Sequence, residues 1–240
     1  VKAGVLAILR GIFYIVGADF IRGTWVQTAW LVLSLMTVFM GSMMAYREKL
    51  FKKRLAYSTV SQVSYIMFGL ATLSQAGITG GLLHAVFHAF IKASLFMTAG
   101  IFILRTGKTG VDDYRGIGKK MPVTLWSFTF ASLALIVIPP ASGFISKWYL
   151  AQGALESEIG VFRWVGPMVL LISALLTAGY LLSITMQGFF PGDGEQIETK
   201  KAAVDKMTVM LAICAAVTVL LGVFPNPLIR FASEIAGSVL

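Results

Sequence analysis

Three basic residues stand four apart in one apolar stretch: His84, His88 and Lys92, within 80–104 (GGLLHAVFHAFIKASLFMTAGIFIL). On an α-helix this spacing puts them in one file along a single face, roughly 12 Å from end to end at ~1.5 Å per residue. The chemistry open to such a file is proton exchange. Histidine gains and loses a proton near neutral pH without help. Burial makes the charged state of a lysine costly, so a buried lysine can exchange its proton too. A charge inside hydrocarbon is expensive enough that its presence points to an ion or proton path. Two further lysines, Lys2 and Lys147, also stand in apolar surroundings.

Each of these residues has a blander reading. A lysine near a helix end can snorkel to the headgroups, and this applies to Lys2. Arg10 reads better as a snorkelling or capping residue, because arginine keeps its proton and relays poorly. His84 reads equally as a structural histidine bonded across helices. Lys92 resists this reading, being central in its stretch and aligned with both histidines. A polar face formed by Ser58, Ser61, Gln62, Ser64 and Tyr65 reads as interhelical glue, or as the wall of a watered path.

The elements that must hold these groups are membrane helices. Hydrophobic residues make up 57% of the 240 and charged ones 13%, with a mean hydropathy of +0.81. Apolar runs of about 20 residues recur, the length an α-helix needs to cross ~30 Å of hydrocarbon. About seven spans are expected, near 2–16, 24–46, 55–73, 80–104, 122–151, 165–190 and 207–224. The fifth carries Pro139-Pro140, followed by Ala141, Ser142 and Gly143. Proline removes a backbone donor and clashes with the preceding turn, so this span should break into two halves. Non-helical backbone at membrane depth persists only where protein or a watered cavity satisfies it, so the break is a second pointer to a site.

The net charge of +9 is a matter of topology. Basic clusters fall in alternate loops: Arg47, Lys49, Lys52, Lys53 and Arg54; Arg105, Lys108, Arg115, Lys119 and Lys120; Lys200, Lys201 and Lys206. The other loops and the tail hold Arg22, Arg163 and Arg230. The positive-inside rule makes the heavily basic side cytoplasmic, and nucleic acid is not an expected partner. None of the eleven Asp and Glu residues falls well inside a span, so the buried lysines have no acidic partner in this chain. The lone Cys214 is a packing residue, and no zinc or iron–sulfur set and no dinucleotide fingerprint is present, so neither metal nor cofactor is expected. The chain opens at Val1 in an apolar segment with no charged leader, which is not a signal peptide and is expected to be part of something longer.

Three motifs occur in order: Lys53-Arg54-Leu55-Ala56-Tyr57-Ser58-Thr59-Val60-Ser61-Gln62, then His84 to Lys92, then Pro139-Pro140 through Gly143 to Lys147. Together they resemble the antiporter-like membrane subunits of respiratory complex I, of Mrp-type sodium/proton antiporters and of group 4 membrane-bound hydrogenases. The resemblance implies an all-α polytopic fold of two inverted repeats, each with a broken helix, of which this chain is the second half. Residues 1–240 would be one membrane domain, with about 2–153 holding the second-repeat helices and about 163–240 the last two helices and tail. Val1-Lys2-Ala3-Gly4 resembles the motif of a central relay lysine, Lys92 the eleventh-span lysine and Lys147 the lysine of the broken twelfth.

The expected function is proton or Na⁺/H⁺ translocation through Lys2, His84, His88, Lys92 and Lys147, in a non-redox subunit working with other membrane subunits. The expected place is the cytoplasmic (inner) membrane, spanned many times. The first repeat, with its acidic residue, is absent, and Leu50, Phe51 and Lys52 replace the acidic residue some members carry before Lys53-Arg54. Two other readings stand beside this one: a scaffold whose lysines bind lipid or a neighbour, and a self-sufficient cation/proton antiporter.

Overall fold

A computed structural model describes residues 2–192 and 205–240. The described residues form α-helices, short 3₁₀ turns and one π-helical segment, with no strand beyond a single isolated bridge. Helix α1 (Lys2–Arg10) runs into a π-helical segment (Gly11–Val16) and the short α2 (Ala18–Ile21). Then come α3 (Trp25–Arg47), α4 (Phe51–Ala71), α5 (Gln75–Thr106), α6 (Pro122–Ile136), α7 (Ser142–Glu156), α8 (Phe162–Phe189), α9 (Lys206–Val223) and α10 (Asn226–Val239).

Helix α5 is the axis of the bundle. Ser74 caps it by accepting from the Gly77 amide, and Gly107 ends it in the left-handed region at φ 69. Its 32 residues span about 48 Å at ~1.5 Å per residue, more than a bilayer core requires. It packs against α4, α6, α7, α9 and α10. Small residues allow this closeness: a Cβ added at Gly80 would lie 2.7 Å from the Leu150 amide nitrogen of α7. In a bilayer, where burial of apolar area drives little, such close backbone packing carries helix association.

The fifth span breaks as the double proline requires. Helix α6 stops at Ile136, Val137 adopts a positive φ of 100, and α7 begins at Ser142. The Pro139-Pro140 peptide is cis. Breaking a helix strands the carbonyls of its last turn. Two of them find donors, Leu133 from the Ile138 amide and Leu135 from the Lys147 ammonium at 2.8 Å.

Helices α3, α5, α8 and α9 are long and apolar enough to cross a membrane. Helix α4 carries Lys52, Lys53 and Arg54 in its first turn and a polar face, which lowers its hydropathy while leaving its length. The basic loops gather on one face. The Phe51 amide donates to Thr109 O and the Val111 amide to Lys49 O, the Gly116 amide reaches Gln187 O, and Arg105 pairs with Asp205 at 2.5 Å. Lys200 and Lys201 of the third basic cluster lie outside the described residues. Gln27 bound to Ala71 O, Ser74 to Gly153 O and Gln75 to Ser233 mark the opposite face. The sequence reading assigned no helix to the tail after 224; the structure has α10 there, its Ala232 and Ala236 buried against the bundle.

Candidate functional site

The file on α5 faces inward along its whole length. His84, His88 and Lys92 are 0%, 1% and 7% exposed, and Lys147 of α7 is 5% exposed. Their partners come from three other helices. Lys2 Nζ of α1 lies 2.6 Å from His88 Nδ1, joining two candidates that are 86 residues apart. This contact places Lys2 against the file rather than at a headgroup. His88 Nε2 is buried with no hydrogen-bond partner among the described residues.

One turn toward the opposite face, His84 is held at both ring nitrogens. Its Nδ1 lies 2.9 Å from Ser146 Oγ of α7, and its Nε2 lies 3.0 Å from Gln62 Oε1 of α4. The His84 ring stacks on His88 at 5.8 Å and on Tyr65 at 5.7 Å. The far side of this stack is positive: Lys147 Nζ lies 4.7 Å from the Tyr65 ring centre. Aromatic and imidazole rings thus run continuously from the Lys2–His88 pair to Lys147.

Lys92 stands apart from this stack. It shares the face of the histidines, yet its ammonium turns to α4, donating to Leu55 O at 3.0 Å and to Ser58 Oγ. Ser58 and Gln62, four apart on one face of α4, thus meet Lys92 and His84, eight apart on α5, the long lysine side chain making up the difference. Lys147 also lines a cavity of about 360 Å³ between α7 and α8, bordered by Val137, Phe144 and Pro167. The break itself contributes Pro139, Pro140 and Gly143; the Gly143 carbonyl accepts from Ser146.

Ion pairs among the described residues lie at helix ends, as Asp19–Arg22, Glu48–Lys53 and Arg105–Asp205. Among those residues, Lys2, Lys92 and Lys147 have no acidic partner. At the basic face the Leu50 amide, with Lys53, holds the Glu48 carboxyl below the usual carboxylate range. The Thr208 amide and hydroxyl, with Arg105, do the same for Asp205. Burial, with Asp113, pushes the Tyr114 hydroxyl up to about 12.

The site therefore contains residues that chemical type alone did not single out. Ser58, Gln62 and Tyr65 read as glue or as the wall of a watered path, and Ser146 carried no signal beyond its place next to Lys147. The usable signal was the four-residue step between Ser58 and Gln62, which puts both on one face of α4.

Comparison with known proteins decides the family. A model described as NADH:quinone oxidoreductase/Mrp antiporter, TM matches residues 1–177. The chain belongs to this family. It is similar to an NADH-quinone oxidoreductase subunit of Desulforudis audaxviator, 42% identical over 155 residues, covering 65% of this chain and 30% of that protein. It is also similar to a Na(+)/H(+) antiporter subunit of Alkalihalophilus pseudofirmus, 31% identical over 242 residues, covering 100% of this chain and 47% of that protein. The fold matches a chain of the Mrp complex from Dietzia, with a TM-score of 0.87 at 21% identity, covering 99% of this chain and 51% of that one. It matches a chain of respiratory complex I from Thermus thermophilus, with a TM-score of 0.83 at 23% identity, covering 99% of this chain and 50% of that one. The chain thus spans less than half the length of these two curated relatives. As a member of this family it is an all-α, multi-pass membrane protein.

Proposed function

We propose that this chain is the C-terminal part of an ion-translocating subunit, and that proton translocation uses Lys2, His88, His84 and Lys147, with Lys92 loading beside them. The observation that carries the reading is the Lys2–His88 contact at 2.6 Å, which closes α1 onto the file of α5. Each member can hold or lose a proton, and a charge on one group alters the cost of a charge on its neighbour. The hosts are complexes of the kind the relatives' names describe, with other membrane subunits and the bilayer as partners, and H⁺ or Na⁺ as cargo. The basic face is cytoplasmic in this reading, and exit lies near Lys147 on the other side.

One observation favours the scaffold reading: Lys92 and Lys147 are enclosed by protein and bonded to carbonyl oxygens. Substitutions at Lys147 separate the two. If Lys147 loads protons, glutamate retains part of the activity, while arginine, which never releases its proton, and alanine, which carries none, abolish it. If Lys147 anchors by its charge, arginine is the best substitute and glutamate the worst. Ion pumping by vesicles holding the full subunit at matched expression decides, and near-normal pumping by Lys147→Arg removes the relay assignment.

A further inference from the structure

Gln62 and Ser146 grip the two nitrogens of one buried imidazole, and neither belongs to the proposed file of titrating groups. The two contacts can be tested against both charge states of His84. Suppose the ring is neutral with its hydrogen on Nε2. That hydrogen goes to Gln62 Oε1 at 3.0 Å, and bare Nδ1 accepts from the Ser146 hydroxyl at 2.9 Å. Now add a proton to Nδ1. The Nε2–H bond to Gln62 is unchanged, and Nδ1–H donates to Ser146 Oγ. The Ser146 hydroxyl hydrogen then turns to the Gly143 carbonyl, 3.2 Å away. Every donor on the ring and on Ser146 has an acceptor in both states, with one hydroxyl rotated.

The opposite amide orientation does not serve both. It would put the Gln62 N–H₂ against Nε2, which suits only a ring whose hydrogen is on Nδ1. Protonating that ring at Nε2 would set two donors against each other, and Gln62 would have to turn over at each cycle. The orientation with Oε1 toward the ring leaves Gln62 Nε2 buried without a partner among the described residues, a cost that is the same in both states.

We propose that Gln62 makes His84 a one-sided proton acceptor: Nε2–H is held permanently, and the proton gained and lost is the one on Nδ1. That proton passes through Ser146. The hydroxyl gives its hydrogen to Nδ1 while its oxygen takes one from a water at the break, and the Lys147 ammonium, bonded to Leu135 O, returns a proton to that water; release reverses these transfers. Exchange with His88 is not direct in this arrangement. The two rings are stacked at 18° between planes and 5.8 Å between centres, whereas N–H bonds and lone pairs lie in the plane of an imidazole. The Lys2–His88 pair and the Gln62–His84–Ser146 set are then two proton-bearing units coupled across the stack by charge. Lys147, Lys2, His88 and Tyr65 are the groups facing His84 across these contacts.

The proposal rests on the relay reading above, but its first test does not. The full-length protein labelled with ¹⁵N-histidine is reconstituted in lipid, and a His84→Gln difference spectrum assigns the ring nitrogens. Neutral His84 should show a protonated Nε2 and a bare Nδ1; the reverse overturns the proposal whether or not the protein pumps. Gln62→Met removes the acceptor, and should mix the tautomers and slow translocation about tenfold. Gln62→Glu restores an acceptor and should recover the Nε2–H form and most of the rate. Unchanged tautomer and rate in Gln62→Met would also overturn it. If Gln62→Met fails to assemble, the wild-type spectrum decides alone. Pumping that survives Lys147→Arg, with the Nε2–H spectrum intact, would remove the relay and leave the assignment at His84 standing.

Discussion

A lysine whose chemistry depends on shedding its proton needs partners that accept from either form. Lys92 donates to the Leu55 carbonyl and to a hydroxyl, and both accept from an amine as well as from an ammonium. Lys92→Ala should therefore cut translocation by about a hundredfold or more, the scale of a lost general acid–base group, with assembly preserved. Pumping by inverted vesicles at matched expression measures this, and a wild-type rate would remove Lys92 from the path. His88→Ala should cost more than His84→Ala, because of these two only His88 contacts Lys2. The sequence made the lysines and histidines legible, since charge in an apolar run is conspicuous. It left Gln62 and Ser146 obscure. Uncharged polar residues occur throughout membrane helices as packing, and what distinguishes these two is a contact made across helices far apart in the chain.

The helix break was legible as an element because Pro139-Pro140 leaves the backbone no other course, and the structure places α6 and α7 on either side of it. The identity of the donor that satisfies the broken end was not legible, because it depends on how α7 is set against the end of α6. Gly143 permits that close approach: a Cβ there would collide with the Ala134 carbonyl of α6. Gly143→Ala should destabilise the protein by about 1–3 kcal/mol through overpacking and reduce pumping by displacing Lys147. Thermal denaturation in detergent, read beside transport, tests this; an unchanged midpoint would show that the turn has room to spare. Helix α10 escaped sequence reading for a related reason. Its apolar residues follow helical spacing within a 14-residue stretch that also holds Arg230 and Glu234, too short and polar to read as a span.

Across the whole molecule, the clustering of basic loops on one face makes a topological prediction. With that face cytoplasmic, a cysteine placed at Gln75 should be labelled from outside and one at Lys108 should not; the reverse pattern inverts the topology. The same face makes a prediction about acid. Asp205 caps α9 and pairs with Arg105, and those bonds hold its carboxyl below the ordinary value of 3.8. A carboxyl lowered by folding stabilises at every pH above its unfolded value and loses that contribution as pH falls through the folded one. Acidification below about pH 4 should thus loosen the start of α9, and Asp205→Asn should produce the same loosening at neutral pH. Limited proteolysis near Lys206 reports it, and equal cleavage of both proteins at pH 7 would count against the tether. The family fold was legible from three motifs because their spacing encodes the same bundle; the pairing of one loop with the next required the folded chain.

The break divides its span into two helices of 15 residues each, and the Lys147 ammonium is bonded to Leu135 O at that break, so in a bilayer spanned by both halves its charge hangs near the midpoint of the voltage drop. A full crossing is worth about 2.3 kcal/mol per elementary charge per 100 mV, so a proton travelling between Lys147 and either surface senses about half of that. Two halves of equal length make loading and unloading electrically alike. A potential of one sign then assists both legs of a crossing by the same amount and the reverse sign opposes both by that amount, so current–voltage curves of the reconstituted subunit should be close to symmetric about zero.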